Sequence, residues 1–409
     1  MAGQRRTAAA IRCAAGLGLA AALLASGCAS PKASDTTARD IRRTLDGRAA
    51  AVLGHDRSAY LAALAPEAAK LRATQSREFQ NLADIPLESW EYRLGDVRRQ
   101  GKRAVAQAEL RYRIAGYDTA PVTVSRTLEL GERDGRWYVT AERAGRGGAQ
   151  QLWQQGDVQV VRGGRSLVLG VGQDPVRLRA LAATADRAVP AVSDAWPSKW
   201  AGRVVVLAPA SLDAMGALLG AAAAGYRGIA AVTTGETGAP GTAPADRVIV
   251  NPQAYAVLGA FGQDTVLTHE TTHVATRAHT SAATPMWLSE GFADWVAYRG
   301  TGSTAGRIAP ELQRAVRLGD VPATLPDDKD FGFAGDAGRL ARAYEGGWLA
   351  CELIAARWGE ERLTGFYRAV GEGKHRAGAV EKAMSDVLGT TPEEFTMRWR
   401  EYLRERLGG

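Results

Sequence analysis

Residues 269–273 of the chain read His-Glu-Thr-Thr-His, and residues 287–294 read Trp-Leu-Ser-Glu-Gly-Phe-Ala-Asp. Three of the five histidines, at positions 269, 273 and 279, fall in or just after the first stretch. On an α-helix, residues four positions apart lie on one face, so His269 and His273 can direct both imidazoles at one ion. The first stretch therefore predicts a metal site on a helix, and the second stretch decides what completes it.

A second helix is predicted to supply the third metal ligand. The pair Thr284-Pro285 is typical of a helix start, with threonine as the N-cap and proline at the first helical position. Glu290 and Asp294 then lie four residues apart on one face of this helix. In this position Glu290 can bind the metal, while Asp294 accepts a hydrogen bond from a ligand histidine and fixes its tautomer.

The set of ligands points to zinc. Catalytic zinc with three protein ligands keeps a fourth position for water and lowers the pKa of that water to about 7. Glu270 lies one position round the helix from His269, where it can reach such a water but is poorly placed to bind the metal. We therefore expect a Zn²⁺ cofactor, with Glu270 as the general base and later the general acid. The three expected ligands are His269, His273 and Glu290.

Together these two stretches resemble the gluzincin zinc metallopeptidases. His-Glu-x-x-His followed by Trp-Leu-Ser-Glu-Gly-Phe-Ala is similar to the aminopeptidase-N branch, and the pair Glu290 and Asp294 is similar to the thermolysin branch. The resemblance implies a hydrolase that cleaves peptide bonds in a peptide or protein substrate. It also implies an active site between an α/β lobe and a helical lobe.

A third segment, residues 343–348, reads Ala-Tyr-Glu-Gly-Gly-Trp. It resembles the Tyr-Glu-Lys-Gly segment of the aminopeptidase-N family, although Gly346 stands in place of the lysine. In that family the tyrosine hydroxyl donates a hydrogen bond to the oxyanion that develops during the reaction. The resemblance implies that Tyr344 is catalytic, with a buried core tyrosine as the alternative.

Two observations keep the assignment within zinc peptidases open. His279 follows His273 by six residues, which is the spacing of the third histidine in metzincins, but Thr276 stands where metzincins have the glycine that breaks the helix. The Gly-x-Met-Glu-Asn strand with which aminopeptidases hold a substrate amino group is missing upstream of the histidine motif. Aminopeptidase activity is therefore not inferred, and residues 226–234 and 247–251 are two candidate strands for binding an extended substrate.

The amino terminus predicts export and lipidation. Arg5, Arg6 and Arg12 accompany an apolar stretch over residues 13–24, which is typical of a signal peptide and too short for a transmembrane helix. The following Leu-Ala-Ser-Gly-Cys resembles a bacterial lipoprotein box, which implies an acylated Cys28 as the mature N-terminus. Two acyl chains give stable anchoring, here to the outer face of the cell membrane. An ordinary cleaved signal with an incidental cysteine is the alternative.

Composition limits the partners of the mature chain. The formal net charge falls from +7 to +4 when the three arginines of residues 1–27 leave with the signal peptide. This modest charge, without a dense basic and aromatic segment, argues against nucleic-acid binding. Cys13 leaves with the signal and Cys28 is lipidated, so Cys351 has no partner for a disulfide. The sequence does not determine the oligomeric state.

Four segments are predicted along the chain, and the fold class is α+β. Residues 1–27 are the signal peptide, and residues 28–38 are a flexible tether. Residues 39–148 read as helices followed by alternating strands with a hairpin turn at Asp134-Gly135, a layout that resembles the cone-shaped ketosteroid-isomerase-like fold. Residues 152–409 are predicted to be a gluzincin-like, thermolysin-like metallopeptidase domain.

The sequence therefore predicts a membrane-anchored, extracytoplasmic zinc metallopeptidase. The rival from another class is a catalytically silent lipoprotein that keeps the peptidase fold and binds cell-envelope components or proteins. Binding alone does not require a glutamate placed as a base, which argues against this rival. A zinc hydrolase that acts on other acyl substrates is a second rival, because the sequence does not define the substrate.

Overall fold

The computed structural model describes residues 33–146, 148–234, 245–332 and 336–408. The predicted signal peptide and the predicted lipidated cysteine lie outside these ranges. The described chain is an α+β protein with two β-sheets. None of the helices in these ranges combines the length and the apolar character needed to cross a bilayer.

The first unit consists of three helices packed on a four-stranded antiparallel sheet in the order β1-β2-β3-β4. Its elements are α1 (Ala33–Leu53), α2 (Arg57–Ala62), α3 (Ala69–Leu82), β1 (Leu87–Gln100), β2 (Arg103–Ile114), β3 (Val122–Arg133) and β4 (Arg136–Ala144). Because α1 begins at Ala33, the tether predicted at residues 28–38 is too long, and its second half is helical.

Local sequence patterns position the strands of this sheet. In β2 every second residue from Ala104 to Ile114 is buried, as a period-two pattern predicts for a strand with one face in the core. Asp134 and Gly135 adopt positive φ angles of 51° and 76°, which a two-residue type I′ turn requires. The predicted alternation and the predicted hairpin turn are both confirmed.

A buried polar cluster fills the space between the helices and the sheet of the first unit. Arg48 donates hydrogen bonds to Glu142 and to Tyr60, both at 2.8 Å. It also donates to Gln75, whose amide in turn donates to Glu78 at 3.2 Å. These side chains therefore form a connected hydrogen-bond network in the interior of the first unit.

The second unit is built on a five-stranded mixed sheet in the order β5-β6-β7-β9-β8. Its elements are β5 (Val158–Arg162), β6 (Ser166–Val171), α4 (Pro175–Ala195), β7 (Val204–Ala208), α5 (Leu212–Leu219), β8 (Ala231–Thr233), β9 (Val248–Val250), α6 (Pro252–Ala256) and α7 (Ala260–Thr276). Among the described strands β8 pairs with β9 alone, antiparallel, so β8 is an edge and β9 is internal. The loop predicted at residues 235–246 between them lies mostly outside the described residues.

Both faces of this second sheet are covered, which explains why its central strands are apolar throughout. Leu167 and Leu169 on β6 pack in one core with the sheet of the first unit. Val168, between them, faces the opposite way and packs in a second core with α4 and α7. A continuous apolar core therefore joins the two units.

The remaining chain is helical, and two of its helices cross at glycines. The helices are α8 (Met286–Tyr298), α9 (Ala305–Ile308), α10 (Pro310–Arg317), α11 (Ala337–Trp358), α12 (Glu360–Gly371), α13 (Ala379–Ala383) and α14 (Pro392–Leu407). A Cβ atom on Gly291 of α8 would lie 2.2 Å from the carbonyl oxygen of Gly347 on α11. These glycines therefore permit a close contact between the helices that carry Glu290 and Tyr344.

Candidate metal centre

The histidine motif lies in the second half of α7, and its two imidazoles meet. Nε2 of His269 lies 3.0 Å from Nε2 of His273, as the four-residue spacing on a helix predicts. His273 is buried, whereas the side chain of His269 is 13% exposed and lines a cleft. The helix therefore brings the two imidazoles together, and His269 is the one that lines the cleft.

Glu290 on α8 completes the cluster. Its Oε2 atom lies 3.3 Å from Nε2 of His269 and 3.5 Å from Nε2 of His273. Tetrahedral zinc bonded at about 2.0–2.1 Å to its ligands separates the ligand atoms by about 3.3 Å. Among the described residues, His269, His273 and Glu290 are the group of possible metal ligands whose ligand atoms lie close to one another. The spacing therefore fits a zinc ion.

The hydrogen bonding of Glu290 also fits a metal ligand. Its Oε2 atom is buried and accepts no hydrogen bond of ordinary geometry from the described residues. Buried polar atoms in native proteins nearly always have a partner, so an exception calls for one. A cation between the two imidazoles and this oxygen supplies that partner.

The charges in the cluster depend on one another. Burial raises the pKa of the Glu290 carboxyl, but the imidazoles of His273 and His269 outweigh this effect and hold that pKa below its ordinary value. Burial lowers the pKa of His269, but the Asp294 carboxylate and then Glu290 raise it above its ordinary value. The site therefore favours a positive charge between these groups, whether a proton or a metal ion provides it.

Asp294 lies one turn after Glu290 on α8. Its Oδ1 atom lies 2.8 Å from Nδ1 of His269. A hydrogen bond here places the ring proton on Nδ1 and leaves Nε2, which faces Glu290, for a metal. The structure thus brings Asp294 to the place expected of a residue that orients a ligand histidine.

The start of α8 differs from the prediction. The helix begins at Met286, Pro285 is the N-cap residue, and Thr284 instead accepts a hydrogen bond from the N–H of Ser281 at 3.1 Å. The N–H of Met286 donates to the Asp328 carboxylate at 2.9 Å. The predicted threonine cap is wrong because a carboxylate from a distant segment satisfies this end of the helix.

His279 lies away from the cluster. It ends a short 3-10 turn, Arg277–His279, that follows α7 directly. Its ring packs edge to face on Trp196, with the ring centroids 5.5 Å apart. Because Thr276 continues the helix where a glycine would break it, the chain does not turn back to bring His279 to the other two histidines. The metzincin arrangement of three histidines is therefore not formed.

A cleft of about 260 Å³ opens beside the cluster. Tyr344 of α11 lines it, is half-buried, and has its ring centroid 6.4 Å from that of His269. Tyr344 therefore belongs to the wall of the site and is not enclosed in the core. A second tyrosine, Tyr298, also lines this cleft and was not predicted from the sequence. Burial raises the pKa of Tyr298 to about 12. The wall also includes Ile229, Ala230, Ala231, Val232, Glu270 and Asp294.

Glu270 is buried on the same wall and contacts the edge strand. Thr233 of β8 donates a hydrogen bond to Oε2 of Glu270 at 2.7 Å, and the hydroxyl oxygen lies 3.0 Å from the main-chain oxygen of Glu270. The sequence interpretation missed Thr233, because the contact joins residues 37 positions apart. The one available signal was its place in the strand predicted within residues 226–234.

Glu345, which follows the tyrosine of the third motif, stabilises a helix start. Its carboxylate accepts the main-chain N–H groups of Glu311 at 3.2 Å and of Leu312 at 2.5 Å, both in the first turn of α10. Burial raises the pKa of this carboxyl to about 7. The Tyr-Glu pair therefore places one side chain in the cleft and the other at a helix terminus.

No model of a known protein family matches the chain, and no curated protein matches it. A function for the chain is therefore inferred from the geometry of the cleft and of the cluster on its wall.

Proposed function

We propose that the protein is a zinc metallopeptidase of the gluzincin type, held outside the cytoplasmic membrane. The observation that carries the proposal is the convergence of His269, His273 and Glu290, whose ligand atoms lie 3.0 to 3.5 Å apart beside an open cleft. Two imidazoles and one carboxylate are a ligand set of catalytic zinc, which leaves a fourth position for water or substrate.

The residues around the cluster can perform hydrolysis. Zinc bound there would lower the pKa of a water molecule and polarise the carbonyl of the substrate. Glu270 accepts a proton as water attacks the carbonyl carbon and delivers that proton to the leaving amine. Tyr344 would donate a hydrogen bond from its hydroxyl group to the oxyanion. Asp294 keeps the ring of His269 in the required tautomer.

The position of the cleft at a sheet edge supports a peptide as the substrate. Thr234 donates its N–H to Arg247, and Asn251 donates its N–H to Ala230, which fixes the register of β8 on β9. In this register the main-chain N–H and C=O of Ala231 point away from β9. Residues of this strand line the cleft, and an extended peptide can add to such an edge as a further strand.

The finer fold assignments belong to the same proposal. We propose that the mixed sheet with α7 is one lobe, and that helices α8 to α14 are the other lobe, of the thermolysin-like domain predicted for residues 152–409. We propose likewise that helices α1 to α3 and strands β1 to β4 form the ketosteroid-isomerase-like unit predicted for residues 39–148. The cluster around Arg48, which fills its interior, supports a spacer or docking role for this unit. Cys28, outside the described residues, is the proposed lipid anchor.

Metal analysis and a peptide-library digest of wild type and Glu270→Gln test the proposal. About one zinc per chain is expected in both proteins, because Glu270 is not a ligand in a site with three protein ligands. Cleavage is expected in the wild type alone, because glutamine cannot take up the proton. Equal cleavage by both proteins would exclude Glu270 as the base. A wild type without zinc and without cleavage would favour the silent binding protein.

Two alanine variants test the identity of the third ligand. Glu290→Ala removes the carboxylate from the cluster and is expected to lose zinc. His279→Ala removes a ring that packs on Trp196 and is expected to retain zinc. The opposite outcome in metal analysis would support the metzincin spacing.

A further inference from the structure

We infer that Thr233 is a positioning residue that sets the orientation of Glu270, the proposed general base. The inference rests on the proposed peptidase function and concerns a residue of the sheet, not of the metal-binding helices. The hydroxyl of Thr233 donates to Oε2 of Glu270 at 2.7 Å, the distance of a hydrogen bond from a hydroxyl to an ionised carboxylate.

The contact lies in the protein interior. Thr233 is fully buried, and Glu270 is 5% exposed. In such surroundings a hydrogen bond to a carboxylate is electrostatically stronger than at the surface. A glutamate side chain has several rotamers, and fixing one of them costs entropy. The contact therefore selects one orientation of the carboxylate before a substrate arrives.

The same hydroxyl fixes the base relative to the strand. Besides Oε2, it lies 3.0 Å from the main-chain oxygen of Glu270, so it contacts both the side chain and the backbone of that residue. Threonine is branched at Cβ and has a stiff χ1 angle, which limits the movement of its hydroxyl. The carboxylate is therefore held at a set distance from β8, the strand along which we propose that the peptide binds.

A second buried threonine on α7 provides a matched comparison. Thr272 is buried, and its hydroxyl donates to the main-chain oxygen of Thr268 at 2.8 Å. This bond supports the helix and does not involve the carboxylate of Glu270. Replacement of Thr272 therefore reports the effect of losing a buried hydroxyl without losing the proposed positioning contact.

Kinetics of three variants test the inference. Thr233→Val keeps the shape of the side chain but removes the donor, and kcat is expected to fall about 10- to 100-fold with little change in KM. Thr233→Ser restores the donor and is expected to recover most of kcat. Thr272→Val is expected to keep the wild-type kcat.

A second readout does not require turnover. Acetohydroxamate has two oxygens that could bind a zinc ion at the cluster, and N–H and O–H groups that could donate a hydrogen bond to the Glu270 carboxylate. Its Kd on zinc-loaded protein, measured by calorimetry, is expected to rise about tenfold in Thr233→Val. In Thr233→Ser the Kd is expected to stay at the wild-type value. The zinc content is expected to be the same in the wild type, Thr233→Val and Thr233→Ser.

The outcomes separate this inference from the proposed function. A wild-type kcat and Kd in Thr233→Val would overturn the inference and leave the peptidase proposal standing. Loss of zinc from Thr233→Val would also overturn it, because the residue would then support the metal-binding helix. A wild type that neither binds zinc nor cleaves peptides would overturn both. If the valine variant does not fold, Thr233→Ala replaces it and is expected to show the same losses.

Discussion

Asp118 of the first unit and Arg247, the residue before β9, form a bidentate ion pair in which both N–O distances are 2.7 Å. Both side chains are buried, and Asp118 also accepts the N–H of Ile114 at 2.7 Å. The pair joins the first unit to the strand that lies beside β8. The sheet edge at the cleft is therefore held in part by a residue from the other unit.

Asp118→Ala is expected to lower the free energy of unfolding by about 3–5 kcal/mol, because the Arg247 guanidinium stays buried without its carboxylate. Urea unfolding of wild type and variant measures this change. Asp386→Ala is the control, since it breaks an exposed ion pair with Lys382 and is expected to have little effect. A small effect of Asp118→Ala, similar to that of the control, would contradict the prediction.

Asp294→Ala is expected to weaken zinc binding by about 10- to 100-fold, because His269 loses the partner that fixes its ring. Competition with a chelator of known affinity measures the zinc Kd. Asp264→Ala removes a carboxylate in the first half of α7, where it pairs at the surface with Arg187, and is expected to leave the Kd unchanged. Equal zinc affinity of wild type and Asp294→Ala would show that Asp294 does not orient the ligand.

Tyr344→Phe is expected to lower kcat by about 10²- to 10³-fold with the zinc content unchanged, because the proposed donor to the oxyanion is lost. Steady-state kinetics on a peptide identified by the library digest measure the effect. Tyr298→Phe, in the wall of the same cleft, is the comparison and is expected to retain most of the activity. A reversed order of the two variants would assign the oxyanion donor to Tyr298.

Glu78→Gln is expected to change how stability depends on pH. Burial and then the Glu142 carboxylate raise the pKa of Glu78 from 4.5 to about 7. The folded state therefore binds the proton of the Glu78 carboxyl more tightly than the unfolded state does. The protonated carboxyl contributes stability that is fully present below about pH 4.5 and is lost as the pH rises through about 7. Relative to wild type, the variant should gain up to about 3 kcal/mol between pH 4.5 and pH 8.

Urea unfolding at several pH values measures this difference between Glu78→Gln and wild type. Glu67→Gln, at an exposed position, is the control for the effect of exchanging a glutamate for a glutamine in contact with solvent. A constant difference between wild type and Glu78→Gln over the same range would show that Glu78 does not titrate with a raised pKa.

Those parts of the site that depend on local periodicity were predictable from the sequence. His269 and His273 share a helix face because they are four residues apart, and the same spacing relates Glu290 to Asp294. That α7 and α8 lie side by side does not follow from local spacing. This contact was predicted from the resemblance to a zinc peptidase family. The α+β class and the hairpin in the first unit were likewise predictable from alternation and turn residues.

Contacts between distant segments were not predictable in the same way. The Thr233 hydroxyl reaches Glu270 from another element, and nothing in its sequence neighbours indicates this. Asp328 accepts the first N–H of α8 from a separate segment, so the prediction of Thr284 as the cap, made from adjacent residues, is wrong. In β6 every residue is buried, and such a strand does not reveal which face meets which partner.

Because both faces of β6 are buried, the second unit is not expected to be stable without the first. Leu167 and Leu169 lie in a core to which the first unit also contributes side chains. The glycine-rich stretch near residue 148 is therefore a boundary in the sequence, but the two units are expected to fold together. A shortened product starting at residue 152 would expose that apolar sheet face to water and is expected to aggregate. The second unit therefore needs the first unit to cover this face, and we expect the two to be retained together in any shortened or recombined form of the chain.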